Sequence, residues 1–193
     1  MRTKIKDIRR KELLQATLET IHKTGLNNIT VAKLSEAAGM SQGMVHHYFK
    51  NKAEVIEAAI RYLNAELRDE VVAELCKVST PHERLFKIID VNFAPHWFNQ
   101  NVTRLWVSFC GEVPFNPVFS RIQRVIHRRM QSNLRYALKE IVEDALATSV
   151  SYELSNMIDG LWLRAAVSEW DIDPQFAVNS IEQYLKRLGI ERP

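Results

Sequence analysis

The sequence predicts an all-α protein of about nine helices, and three observations predict it. Hydrophobic residues make up 46% of the 193 positions, enough for a sizeable core, while only six glycines and six prolines interrupt the chain. Apolar residues recur at the helical spacing of three and four, and no alternating run is long enough for a strand. Start signals stand where new helices are needed: Thr80-Pro81-His82-Glu83 joins an N-cap, a proline at the first helical position and a glutamate at the third.

Taken in order, residues 4–24 form a first helix with Ile8, Leu13, Leu14, Leu18 and Ile21 near one face, ended by Gly25 and Asn27-Asn28. Thr30 caps the next. Gly39 sits at a corner, where a helix end needs a positive φ that glycine adopts cheaply. Ser41 caps a short third helix, accepting backbone N–H bonds that have no partner within the helix. Leu34, Ala38, Met40, Val45 and Tyr48 fall where two crossed helices bury side chains, and small Ser35 lets them approach. Thr30–Lys52 therefore reads as a helix-turn-helix, whose second helix enters a DNA major groove.

Asn51 and Glu54 form a capping box. The helix they start runs to about Cys76, with Val55, Ile56, Ala59, Leu63 and Leu67 on one stripe. The Thr80 helix ends near Pro95, and further helices are expected at 101–112, 116–145, 148–168 and 174–188. This places a DNA-binding domain at 1–52 and a larger helical domain at 53–193.

Charge supports that division. Residues 1–52 hold ten Lys/Arg against four Asp/Glu, a net +6, and the remainder holds sixteen against nineteen, a net −3. A basic module on an acidic body directs only the first part toward a polyanion. The lack of a run of about 18 apolar residues argues against a membrane span. The polar N-terminus is unlike a secretory signal, and Cys76 and Cys110 alone make no disulfide framework, so the reading is a soluble cytoplasmic protein.

The pattern Thr30-Val…Ala38-Gly39-Met40-Ser41-x-Gly43…Tyr48-Phe49-x-x-Lys52, followed by a long helix in a chain near 200 residues, resembles the TetR family of bacterial repressors. Ile8–Leu13, His46–Phe49, Asn92–Ala94, Leu105–Phe109, Arg128–Leu134 and Ile158–Ala165 are similar to its BetI type, which controls choline uptake and conversion to glycine betaine and is relieved by choline. Trp97 and Cys110 depart from the commoner pattern of that type. The resemblance implies a homodimer on double-stranded operator DNA, released by a small-molecule inducer, with no cofactor and no catalysis. Choline is the expected effector; the alternative is a TetR-type repressor of efflux or metabolic genes sensing another cationic or apolar compound.

Gln42, Gly43, Met44 and His46 are the candidates for base edges: Gln bonds bidentately to adenine, Met touches a thymine methyl, and Gly43 admits close backbone approach. The resemblance implies phosphate contacts from His47, Tyr48 and Lys52, with Thr30 and Ser41 at the two helix starts; Arg9, Arg10 and a basic arm of Arg2, Lys4 and Lys6 add charge. His46 and His47 do not make a metal pair, because adjacent helical positions point apart. For the ligand, Trp106, Phe109, Asp159 and Trp162 are chosen from the aromatic residues outside the first domain, which also include Trp97 and Trp170. Aromatic faces suit a quaternary ammonium, which carries charge but donates no strong hydrogen bond, and Asp159 or Glu112 offsets that charge. Helices 148–168 and 174–188 are expected at the dimer interface, through Leu154, Ile158, Leu161, Leu163, Ala166, Val178, Ile181, Tyr184 and Leu185. Arg124, Arg128, Arg129 and Arg135 read as a solvated or salt-bridged stripe. A helical enzyme would leave the basic module without a purpose; a helical scaffold that binds proteins only is the third reading, and a gel-shift with DNA from upstream of its own gene separates it.

Overall fold

The computed structural model describes residues 2–169 and 172–193, with side chains from Ile5 onward. Among them the chain forms α1 (Arg2–Thr24), α2 (Val31–Ala37), α3 (Gln42–Tyr48), α4 (Lys52–Leu75), α5 (Pro81–Asn92), α6 (Gln100–Glu112), α7 (Pro117–Leu138), α8 (Asp144–Val167) and α9 (Pro174–Arg187), with no strand. The caps read from sequence are in place. Thr30 Oγ1 accepts from Lys33 N at 3.2 Å, and Ser41 Oγ from Met44 N at 3.2 Å. Thr80 and Glu83 complete a reciprocal capping box. At α4 the Asn51 side chain accepts from Glu54 N, but Glu54 reaches back one residue further than a capping box requires, to Lys50 N at 2.7 Å.

Two cores organise the helices. The first joins Leu13 and Ile21 of α1, Leu34 of α2 and Val45 of α3 to Val55 and Ile60 of α4; α6 and α7 add Phe109 and Phe119. The second is built on α5, α8 and α9, and takes Val71 and Leu75 from the far end of α4. One helix of 24 residues therefore belongs to both. Each fully buried leucine or valine contributes roughly 1.5–3 kcal/mol, so neither half of α4 moves without disturbing its own core.

Two expectations need correction. Ile8 is 55% exposed, because the inward face of α1 begins only at Leu13. The helix expected over 116–145 stops at Leu138, and the next begins at Asp144. Ile141 and Val142 turn in against the second core, their N–H groups donating to the Leu138 carbonyl at 2.8 and 2.9 Å. Arg135 then clasps Asp144 at 2.7 Å, tying the two helix ends together. Hydrophobic capture, with neither glycine nor proline, makes this break.

Candidate nucleic-acid interface and ligand cavity

The turn between α2 and α3 is fixed by Gly39 at φ 60°. Its geometry rolls α3 so that Val45 goes inward, 1% exposed, while Gln42, Gly43, Met44, His46 and His47 face solvent. Thr30 and Ser41 are exposed at the two helix starts, and Lys52 and Tyr48 are half-buried beside them. Of the nine residues selected from sequence, seven are exposed and Tyr48 and Lys52 are half-buried. Both capping hydroxyls accept from backbone, which leaves each O–H free to donate outward. A Cβ on Gly43 would meet only Ser41 Oγ, at 3.9 Å, so nothing inside the fold demands a glycine there. Two of the flanking cations have partners in the fold: Arg9 binds Glu12 at 2.8 Å, and Arg10 lies over the Phe49 ring at 5.2 Å. Arg2 and Lys4 lie outside the described side chains.

A cavity of about 210 Å³ opens where the C-terminal half of α4 meets α5, α6, α7 and α8. Trp97, Trp106 and Trp162 line it, together with Leu67, Val71 and Met130. Trp162 is held by an N–H bond to the Asn92 carbonyl at 3.2 Å and by an edge-to-face contact with Trp106, centroids 6.4 Å apart. Glu70 on α4 sets Trp97, accepting from its indole N–H at 2.8 Å and lying 2.9 Å from His96 Nε2. Both Glu70 and Trp97 were beyond sequence selection as a pair: they are 27 positions apart. Asp159 also lines the cavity, and its partner is His127 at 3.1 Å. Hydrogen bonding to that carboxylate raises the His127 pKa above its ordinary value, against the opposing effect of burial.

Phe109 is a correction. It is fully buried in the first core, 5.4 Å from Trp106 and 5.2 Å from Phe119, and does not reach the cavity. It stands three residues, about 4.5 Å, further along α6 than Trp106, which carries it past the cavity and into the first core. Glu112 is likewise absent from the lining. Cys110 packs beside Phe109 in the first core, and burial pushes its thiol up to about 12, leaving it protonated. Trp170 lies outside the described residues.

The chain matches two family models. The tetR model of bacterial regulatory proteins covers residues 13–59, and the C-terminal model of BetI-type transcriptional repressors covers residues 81–189. The chain belongs to the TetR family. Its BetI-type relatives include the HTH-type transcriptional regulator BetI of Brucella canis, 35% identical over 92% of this chain and 90% of its own. A BetI regulator of Chromohalobacter salexigens is 36% identical over 96% of this chain and 95% of its own. A transcriptional regulator of Saccharomonospora viridis, solved in complex with choline, shares the fold with a TM-score of 0.79 at 19% identity, over 92% of this chain and 95% of that one. The BetI-type chain is therefore a DNA-binding transcriptional repressor, and its α2–α3 unit is the helix-turn-helix of that family. No helix among its described residues is long and apolar enough to cross a membrane.

Proposed function

We propose that residues 1–52 read a pseudo-palindromic operator and that residues 53–193 dimerise the repressor and sense a small quaternary ammonium compound, with choline the first candidate. The observation that carries the reading is the double membership of α4. Val55 and Ile60 near its start share the first core with Val45 of α3, while Leu67 and Val71 further along line a cavity that three tryptophans also line. Indole faces attract an onium cation that carries no strong hydrogen-bond donor. A ligand that seats there and favours a different position of α4 lowers operator affinity, since a ligand shifts an equilibrium only by its unequal affinity for the two states.

Two reading helices contact successive major grooves only when held about 34–36 Å apart, so dimerisation is part of the mechanism. Leu154, Ile158, Ile181 and Leu185, expected at the interface, are instead interior, each at most 3% exposed. The outer faces of α8 and α9 present Leu163, Val167 and Phe176, 50–66% exposed, as the apolar surface for a second copy. The controlled genes are those of choline transport and glycine betaine synthesis, and the protein works in the cytoplasm beside its DNA. Fluorescence anisotropy with DNA from upstream of its own gene tests the reading. Tight binding that millimolar choline releases supports it; choline-indifferent binding, with no heat of choline binding in calorimetry, sinks it.

A further inference from the structure

The groove between α4 and α7, about 400 Å³, is lined by four arginines, Arg61, Arg68, Arg121 and Arg129, and by no acidic side chain. Glu57 lies 2.8 Å from Arg61, and Asp69 lies 2.6 Å from Arg68. Among the described residues, no carboxylate stands within ion-pair distance of Arg121 or Arg129. The groove is continuous with the tryptophan cavity, because Asn64, Arg68, Ile126 and Arg129 line both. Arg129 is half-buried at that junction, where burial and the adjacent Arg68 disfavour its charge and Asp69, which is paired with Arg68, offsets them only in part. A charge withdrawn from water needs an opposite charge or it costs stability.

The acid available to a cation is already engaged, since Asp159 faces His127. A bare onium ion would add positive charge to a cavity edged by two guanidiniums. A ligand that brings an oxyanion with its onium group satisfies both ends: indole faces take the ammonium, and the planar guanidinium fork takes the oxyanion bidentately. Resting on the onium reading above, we infer that the effector is a zwitterion, a quaternary ammonium joined by a short chain to a carboxylate or phosphate, whose oxyanion docks on Arg129 and Arg121 at the α4–α7 groove.

Calorimetric titration of the full-length protein with choline, glycine betaine and phosphocholine tests this, in the wild type and in Arg129→Met and Arg121→Ala. Arg129→Met keeps an aliphatic stem in the half-buried site, and Arg121 is exposed, so its truncation leaves the fold intact. At least one zwitterion binds the wild type about tenfold or more tighter than choline, the size of a charge-assisted hydrogen bond. Arg129→Met abolishes that advantage, and Arg121→Ala reduces it. The preferred zwitterion tells carboxylate from phosphate. Choline binding as tightly as both zwitterions, or an advantage that survives both substitutions, overturns the inference and leaves the onium reading standing. Binding by none of the three overturns both.

Discussion

Replacing Phe109 with leucine separates packing from sensing. The ring is fully buried between Trp106 and Phe119, with centroids 5.4 and 5.2 Å away. Each aromatic pair contributes about 0.5–1.5 kcal/mol beyond its buried area, so leucine forfeits roughly 1–3 kcal/mol before any cavity cost. At about 2–4 °C per kcal/mol for a chain of this size, the melting temperature falls by roughly 2–12 °C. Choline affinity, read by calorimetry, stays within about twofold, because the ring does not line the cavity. Trp106→Leu gives the opposite weighting: it removes a cavity face, and a desolvated cation–π contact near 2 kcal/mol corresponds to a loss of more than about tenfold in affinity. A Phe109→Leu protein that melts like wild type yet no longer binds choline would refute the placement of Phe109 in the core.

Ser41→Ala removes the N-cap of the seven-residue α3, lowering stability by about 1 kcal/mol and operator affinity for every sequence alike. Gln42→Ala leaves thermal stability unchanged and relaxes discrimination at one base pair by about 1–3 kcal/mol, read by anisotropy on a set of single-base operator variants. Gly39→Ala forces a Cβ onto φ 60° and lowers the chemical-denaturation midpoint by the equivalent of about 1 kcal/mol or more, although the space around it is open. The His127–Asp159 pair gives a pH signature. Its contribution to folding is fully present below the unfolded histidine value and fades as pH rises through the raised folded value. Above that point Asp159 is released from a charged partner, so choline affinity rises with pH in the window above 6.5, and His127→Gln flattens the profile.

Local chemistry was readable in the chain. Thr30, Ser41, Gly39 and the Thr80–Glu83 box act within a few residues, and each stands in the structure where its hydrogen bonds or φ require. What depends on distant packing was not. The end of α7 carries no turn residue, only Ile141 and Val142 finding a core. Trp106, Asp159 and Trp162 were found as cavity residues, but Phe109, on the same helical stripe as Trp106, is fully buried in the first core and does not line the cavity. Arg129 looked like one member of a solvated or salt-bridged stripe on α7. Only the approach of α4 shows that it edges the cavity, whereas Arg135 of the same stripe is held by Asp144. Glu70 gave no signal at all, since its role exists only once Trp97 arrives from the connection between α5 and α6.

Coupling between cavity and reading head is reciprocal by thermodynamic necessity. Calorimetric titration of choline, or of whichever zwitterion binds more tightly, into the free repressor and into the repressor–operator complex measures it. The ligand should bind the complex more weakly, by the same factor by which it weakens operator binding in anisotropy. Equal ligand affinity with and without operator would contradict a cavity that controls the grip of α3 through α4.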